Sequence, residues 1–413
     1  MATTVLIVFL VVYLGMFLGE LPFLQIDRTG IALLGAIALV ALGEVSPERA
    51  AQSVHLPTIL LLFSFMVLSA QMRLGGFYAR VTRRIAASPV GPPALLALLI
   101  ACVAALSAVF SNDIVCLAMA PVLADACLAR RLNPVPYLLA LACAANVGSA
   151  ATLIGNPQNM LIGETLHLSF AGYAREAAVP VALGLAATWA IIALLSRGRW
   201  TLAAAEPAAA PPPRREDEEA ADDAWQTAKG LLVAGALLAA FLFTEVPREV
   251  AALTGAGLLL LSRRLHSGKT LGLVDWELLV LFIGLFVVNH AFQETGLAAR
   301  TLAALAGAGL PLSSPAPLFG AAFVASNLVS NVPAVMLLLP AATEPWSGPL
   351  LALVSTLAGN LLIVGSIANI IVVDCAARRG IRIDWRMHAR VGVPVTLATL
   401  AIAAAWLWLR IAR

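Results

Sequence analysis

Two long apolar stretches of this chain each break at a serine-asparagine pair, and the two asparagines stand 219 positions apart. The first reads Val109-Phe110-Ser111-Asn112-Asp113-Ile114 and the second Leu328-Val329-Ser330-Asn331-Val332-Pro333, with Pro121 and Pro340 each nine residues past the asparagine. In hydrocarbon an unsatisfied backbone amide is costly, so irregular backbone survives only where protein buries it or a polar cavity faces it. A matched pair of interrupted segments in two halves of a chain therefore points to a site near the bilayer midplane.

The composition agrees with a membrane setting. Of 413 residues, 61% are hydrophobic and 12% charged, where soluble domains carry roughly 25% charged residues. The expected fold class is all-α and polytopic. Candidate spans lie near 4–22, 29–44, 56–72, 134–165, 174–196, 229–244, 248–263, 276–291, 348–376 and 390–411, each near the roughly 20 residues that a crossing needs. The regions 94–129 and 315–343 remain. Their arms of about 15 residues are short for a crossing at the helical rise, which predicts two re-entrant helical hairpins. The segments 134–165 and 348–376 are rich in Gly and Asn and read as broken helices.

Charge placement sets the orientation. With ten spans, two hairpins and both termini outside, the basic residues concentrate in the cytoplasm. Only Arg49, Arg175, Arg248, Arg300, Arg410 and Arg413 stay outside, as the positive-inside rule requires. The localisation expected is a bacterial-type inner membrane. The N-terminus lacks a basic n-region and a cleavage site and reads as a retained first span, not a signal peptide.

The chain divides at a linker over 199–226, whose Pro211-Pro212-Pro213 and charge run cannot bury a core and predict cytoplasmic disorder. A first repeat spans 1–198 (scaffold spans 4–72, hairpin 94–129, broken helix 134–165). A second spans 227–413 (scaffold 229–291, hairpin 315–343, broken helix 348–376). Gly76-x3-Arg80 matches Gly296-x3-Arg300, and Gly155-x3-Asn159 matches Gly365-x3-Asn369. Five spans per half make the repeats inverted, with hairpin tips meeting at the midplane.

The site chemistry follows from those breaks. Ser and Asn are strong N-caps, and helix N-termini present free N–H groups to an anion. Ser111, Asn112, Asp113, Ser330 and Asn331, with Thr152 and Ser366 beside them, are the candidate substrate-binding residues. Asp113 is ionisable at membrane depth, a functional hypothesis in itself; it can take a coupling cation, carry a proton or cap its helix. Freed carbonyls and side-chain amides at Asn146, Gly148, Gly155, Asn156, Asn159, Asn360, Gly365 and Asn369 are candidate ligands for a coupling ion, sodium above all. No Arg or Lys falls at the expected midplane, so an anion must be held by amides, hydroxyls and helix ends.

Other classes find little support. The five cysteines (102, 116, 127, 143 and 375) form no CxxC, and the five histidines are scattered, so no metal site beyond a transported or coupling sodium is expected. No HExxH, nucleophile elbow or phosphate-binding GxxxxGK[ST] loop is present, which disfavours an enzyme or a primary pump. No cofactor is expected, and no basic patch with interleaved aromatics suggests a nucleic-acid partner.

At the broken segments the chain resembles the ion transporter superfamily, which includes divalent anion/sodium symporters, arsenite permeases and citrate-transporter-like proteins. Phe110-Ser111-Asn112-Asp113 resembles the arsenite-permease hairpin, and the two Ser-Asn pairs resemble the Ser-Asn-Thr signatures of dicarboxylate symporters. Here Asp113 and Val332 replace the threonines. Gly148 to Asn159 is similar to the unwound sodium-binding helix of those symporters. The resemblance implies anion contacts at Ser111, Asn112, Ser330 and Asn331, and coupling ions at Asn146, Gly148, Asn156, Gly365 and Asn369. It also implies a homodimer, a rigid scaffold and a mobile transport domain working as an elevator. The function expected is a secondary transporter for a small anion, an inorganic oxyanion (arsenite-like) or a carboxylate, coupled to sodium or protons. A sodium/proton antiporter is the alternative and a channel a minor one.

Overall fold

Proline sets many of the helix starts. Pro47, Pro92, Pro134, Pro157 and Pro315 each occupy a first helical position, where the missing N–H has no intrahelical partner to lose and the fixed φ already fits. The computed structural model describes residues 2–19, 25–202 and 223–412.

The first half runs α1 (Ala2–Leu18), α2 (Arg28–Ala41), α3 (Pro47–Ser53), α4 (Leu56–Leu74), α5 (Phe77–Ala86), α6 (Pro92–Val109), α7 (Asn112–Ala129), α8 (Pro134–Ser149), α9 (Pro157–Thr165) and α10 (Phe170–Leu195). The second runs α11 (Ala224–Phe243), α12 (Arg248–Leu260), α13 (Ser267–Leu271), α14 (Trp276–Glu294), α15 (Leu297–Gly307), α16 (Pro315–Val329), α17 (Asn331–Leu338), α18 (Ser347–Ala358), α19 (Ile367–Ala377) and α20 (Trp385–Ile411). Short 3-10 turns follow α17 and precede α19. Taken in order, the helices of the second half match those of the first one for one. Packing repeats the correspondence. Helix α2 lies on α14 and α12 on α4; α7 lies on α19 and α17 on α9; α8 lies on α19 and α18 on α9.

Gly76 and Gly296 turn the chain at matching places, between α4 and α5 and between α14 and α15, both with φ of 73°. That left-handed angle is one an L side chain resists. The short helices that follow were not anticipated from the sequence. Helix α5 buries Tyr78, Thr82, Ile85 and Ala86, whereas no residue of α15 is buried.

Among the described residues seven helices are long and apolar enough to cross a membrane: α4, α6, α7, α10, α11, α14 and α20. The protein is a multi-pass membrane protein. Two expectations need correction. Both arms of the first hairpin have 18 residues, longer than expected, because α6 starts at Pro92 and Pro121 leaves α7 continuous. Conversely α1, α2 and α12 have 17, 14 and 13 residues, short of the expected spans.

The linker expected over 199–226 falls mainly at 203–222, outside the described residues. Its edges are ordered. Leu132 bridges to Thr201, and Asp223 caps α11 by accepting from the amides of Trp225 and Gln226.

Candidate functional site

At the first break α6 stops at Val109, Phe110 extends, and α7 restarts at Asn112. Phe110 is buried and meets Tyr78 edge-on at 5.9 Å, which ties the tip to the Gly76 turn. The Asn112 amide N–H donates to the Gly155 carbonyl at 3.3 Å, so the hairpin tip and the first broken helix hold each other. The second break, between α16 and α17, is tighter: Ser330 alone separates them, at φ 75° and ψ 162°. Few residues other than glycine adopt that region without strain.

The expected serine caps are not made. Neither Ser111 nor Ser330 bonds the following turn through its side chain. Asn112 instead turns its side chain to a neighbour, its Nδ2 donating to Asn146 Oδ1 at 3.1 Å.

Between α8 and α9, and between α18 and α19, the chain leaves the helix for several residues. Asn156 caps α9 by accepting from the Asn159 amide. Asn159 Nδ2 donates back to the Thr152 carbonyl at 3.1 Å, and Asn369, its match in the second half, donates to the Leu362 carbonyl at 3.0 Å. The glycines here allow close approach. A Cβ on Gly148 would collide with Ala104 backbone, and one on Gly155 with the Ser149 carbonyl. The Gly148 carbonyl also accepts from the Ala151 amide. Both glycines therefore have a packing role, and each carbonyl accepts a backbone amide.

The two breaks are cross-linked by buried amides and hydroxyls. Asn146 Nδ2 donates to Asn360 Oδ1 at 2.8 Å and Asn369 Oδ1 at 3.3 Å, and Ser366 Oγ donates to Asn146 Oδ1 at 2.9 Å. In the opposite direction, Thr356 Oγ1 accepts from Asn156 Nδ2 at 3.2 Å and donates to Asn159 Oδ1 at 3.3 Å. Asn146, Asn156, Asn159, Asn360 and Asn369 are buried. Ser149 Oγ joins the two sets, accepting from Asn156 Nδ2 at 2.9 Å and donating to the Asn146 carbonyl at 2.8 Å, so Asn112, Asn146, Asn156, Asn159, Asn360, Ser366 and Asn369 belong to one bonded assembly. Gly155 and Gly365 line its backbone. Thr152 meets the assembly only through its carbonyl, on Asn159 Nδ2; its hydroxyl donates to the Ala108 carbonyl at 2.5 Å, joining hairpin to broken helix. Asn331 lies against Gly359, where an added Cβ would sit 3.3 Å from Asn331 Nδ2.

Several participants were not singled out as site residues from the sequence. Thr356 occupies the place in α18 that Asn146 holds in α8, 210 positions earlier. Gln158 Nε2 also donates to it, at 3.2 Å. Tyr173 Oη donates to the Ala150 carbonyl at 2.8 Å and accepts from Asn159 Nδ2 at 3.3 Å. Buried His388 contacts the Asn360 carbonyl at 3.1 Å through Nε2. Asn327 repeats the Ser-Asn signal one turn ahead of Ser330.

The site carries dipoles in place of fixed positive charge. Among the described residues no Lys or Arg is fully buried. The Asp113 carboxyl lies beside the Ala368 amide at the start of α19, so an acidic side chain of the first half faces a helix N-terminus of the second. Asn112 Oδ1, Asn327 Oδ1 and Asn331 Oδ1 are buried and make no hydrogen bond, as does Asn360 Nδ2. Such groups are rare in folded proteins and call for a partner. A cavity of about 450 Å³ at the starts of α10 and α18 and the end of α20, lined by Glu176, Trp346, Pro349, Leu407 and Arg410 among others, shares Tyr173 with the assembly.

Comparison with known proteins matches residues 4–349 to the family model described as citrate transporter. The chain belongs to that family. It is a secondary transporter of the ion transporter superfamily. The 46 kDa membrane protein of Mycobacterium leprae is 29% identical over 411 residues, covering 94% of both chains. The silicon efflux transporter LSI3 of Oryza sativa subsp. japonica is 28% identical over 470 residues, covering 93% of both. The fold is similar to the crystal structure of the Alcanivorax borkumensis YdaH transporter, with a TM-score of 0.54 and 15% identity over 99% of this chain and 97% of that one.

Proposed function

We propose that this transporter moves a small oxygen-rich solute, an inorganic oxyanion or its protonated acid, or a carboxylate, coupled to sodium or protons. The observation that carries this reading is the assembly of buried amides and hydroxyls where four helices break, built from both halves. Unpartnered acceptors at Asn112, Asn327 and Asn331 suit the hydroxyls of a protonated oxyacid or a coupling cation. Helix N-termini at Asn112, Asn331 and Pro157 suit its oxyanion oxygens. The rice relative's name, a silicon efflux transporter, and the family's description as citrate transporters fit solutes of this kind.

In this reading Ser111, Asn112, Ser330 and Asn331 face the solute, while Asn146, Asn360 and Asn369 serve the coupling ion. The halves lie inverted in a bacterial-type inner membrane, with termini outside and residues 199–226 cytoplasmic. Access alternates as the hairpins and broken helices move past the first four helices of each half, in a homodimer. Asp113 among amides supports a second reading, a sodium/proton antiporter.

Purified protein in liposomes decides between the two. Saturable uptake of arsenite, silicate, phosphate or citrate, driven by a sodium or pH gradient, is the expected result. Proton movement on sodium addition, with none of these solutes carried, would transfer the assignment to the antiporter.

A further inference from the structure

Arg248 and Glu164 form an ion pair at 2.9 Å, with side chains only 15% and 8% exposed. Arg248 Nη2 also donates to the Gly163 carbonyl at 3.0 Å. The pair joins the first residue of α12 to the last turn of α9. It therefore ties a scaffold helix of the second half to the broken helix of the first.

The one-for-one match of helices gives this pair a counterpart. Arg28 is the first residue of α2, as Arg248 is of α12, and Asp374 lies in the last turn of α19, as Glu164 does of α9. All four charges sit where the helix dipole opposes them: cations at N-termini, anions at C-terminal turns. The dipoles of their own helices account for none of them, whereas pairing across helices accounts for all four.

Only one of the two pairs is made. Asp374 is 2.9 Å from Arg378 of its own helix end, in an exposed pair (56% and 68%) of the kind that contributes little and exchanges readily. Arg28 makes no ion pair among the described residues, and its buried Nε has no hydrogen-bond partner. Two further features show the same one-sidedness: α5 buries side chains where α15 buries none, and Ser330 has φ of 75° where Ser111 has −56°.

Two halves related by a two-fold can interchange these environments. We propose that Glu164–Arg248 and Asp374–Arg28 are alternate latches, one made in each end state of the transport cycle, and that the structure has the first closed and the second open. This rests on the alternating-access reading. Each latch adds its free energy to one state only, as a two-state equilibrium requires of anything that shifts it.

The test uses the full chain with its five cysteines replaced, in native membranes. One protein carries Glu164→Cys with Arg248→Cys, another Arg28→Cys with Asp374→Cys; both charges leave together, so neither variant buries a lone ion. Mercuric ion, which bridges adjacent thiols, is the probe. Both pairs are expected to cross-link, and each cross-link to arrest transport. Adding Asp374→Asn to the first protein, or Glu164→Gln together with Arg248→Gln to the second, removes the opposing latch and should raise the cross-linking rate on the order of tenfold. An Arg28/Asp374 pair that never cross-links, or rates indifferent to loss of the opposing charge, would overturn the proposal. Transport by the wild-type chain is measured separately, so a protein that moves no solute defeats the transport reading and not the latch alone.

Discussion

Asn146 and Thr356, 210 positions apart, occupy matching places on α8 and α18, and each reaches across to the helix break of the other half. Asn146 bonds Ser366 and Asn369; Thr356 bonds Asn156 and Asn159. A buried polar network of this kind is stabilising only when its members are satisfied. Asn146→Ala strands groups on Asn112, Asn360, Ser366 and Asn369. It is expected to cost about 3 kcal/mol, and Thr356→Val about 2 kcal/mol. Unfolding of the detergent-solubilised protein measures both, and losses under about 0.5 kcal/mol, the range of ordinary surface changes, would mean that the crossed bonds do not hold the halves together.

Asn112 and Asn331 start the second arm of each hairpin, and both carry an unpartnered buried carbonyl. Replacing either with alanine removes few protein bonds but takes away a solute ligand. Uptake is expected to fall by about tenfold or more in each variant, the worth of one good hydrogen bond in binding, with little change in melting temperature. Wild-type uptake by both variants is the outcome that removes these residues from the site.

The positions of the breaks were legible because irregular backbone in an apolar run has few physical excuses: Ser111-Asn112, Ser330-Asn331 and Gly148 to Asn159 fall where the helices interrupt. Their partners were not. A lone threonine such as Thr356 in an apolar helix reads as packing, and only its match to Asn146 could have raised it. The serine caps were misread because local propensity cannot show that Asn112 has a stronger partner 34 residues away. Thr152, Gly148 and Gly155 read as ligands in the sequence; their part in holding the chain, through the Ala108 carbonyl and the close approaches to Ala104 and Ser149, shows only in the fold. In the sequence Arg248 is only a charge on the outer side and Glu164 carries no signal; the fold alone brings them together.

The Asp113 carboxyl lies beside the first turn of α19 in the other half. If a proton taken up there drives the cycle, Asp113→Asn mimics the protonated form permanently. Transport down a solute gradient should then persist while accumulation driven by a pH gradient is lost. An unaltered response to the pH gradient would exclude the proton role and leave Asp113 as a cap or cation ligand.

Glycines in this chain separate into two groups. Gly148 has no room for a methyl against Ala104, while Gly235 and Gly257, inside α11 and α12, have nothing within 4 Å of an added Cβ. Gly148→Ala is expected to destabilise by about 1–3 kcal/mol through overpacking. Gly235→Ala and Gly257→Ala should stabilise by about 0.4–1 kcal/mol by restricting the unfolded chain. Melting curves give the signs, and equal effects at the three positions would contradict the close approach of α8 to α6.

Ser330 holds a backbone conformation, φ 75° and ψ 162°, that glycine adopts at little cost. Ser111, its match in the first half, has φ of −56° and ψ of 127°, which any residue adopts. The same substitution should therefore act oppositely at the two tips. Ser330→Gly relieves strain of about 1–3 kcal/mol, less the extra entropy that glycine loses on folding, and is expected to raise the melting temperature. Ser111→Gly brings the entropic loss alone and should lower it. Because the relief favours the state with φ positive at position 330, Ser330→Gly should also slow turnover, by holding the transporter longer in one half of its cycle. A Ser330→Gly protein that melts lower than wild type, or that melts higher and transports at the wild-type rate, would show that the strain at this tip is not part of the cycle.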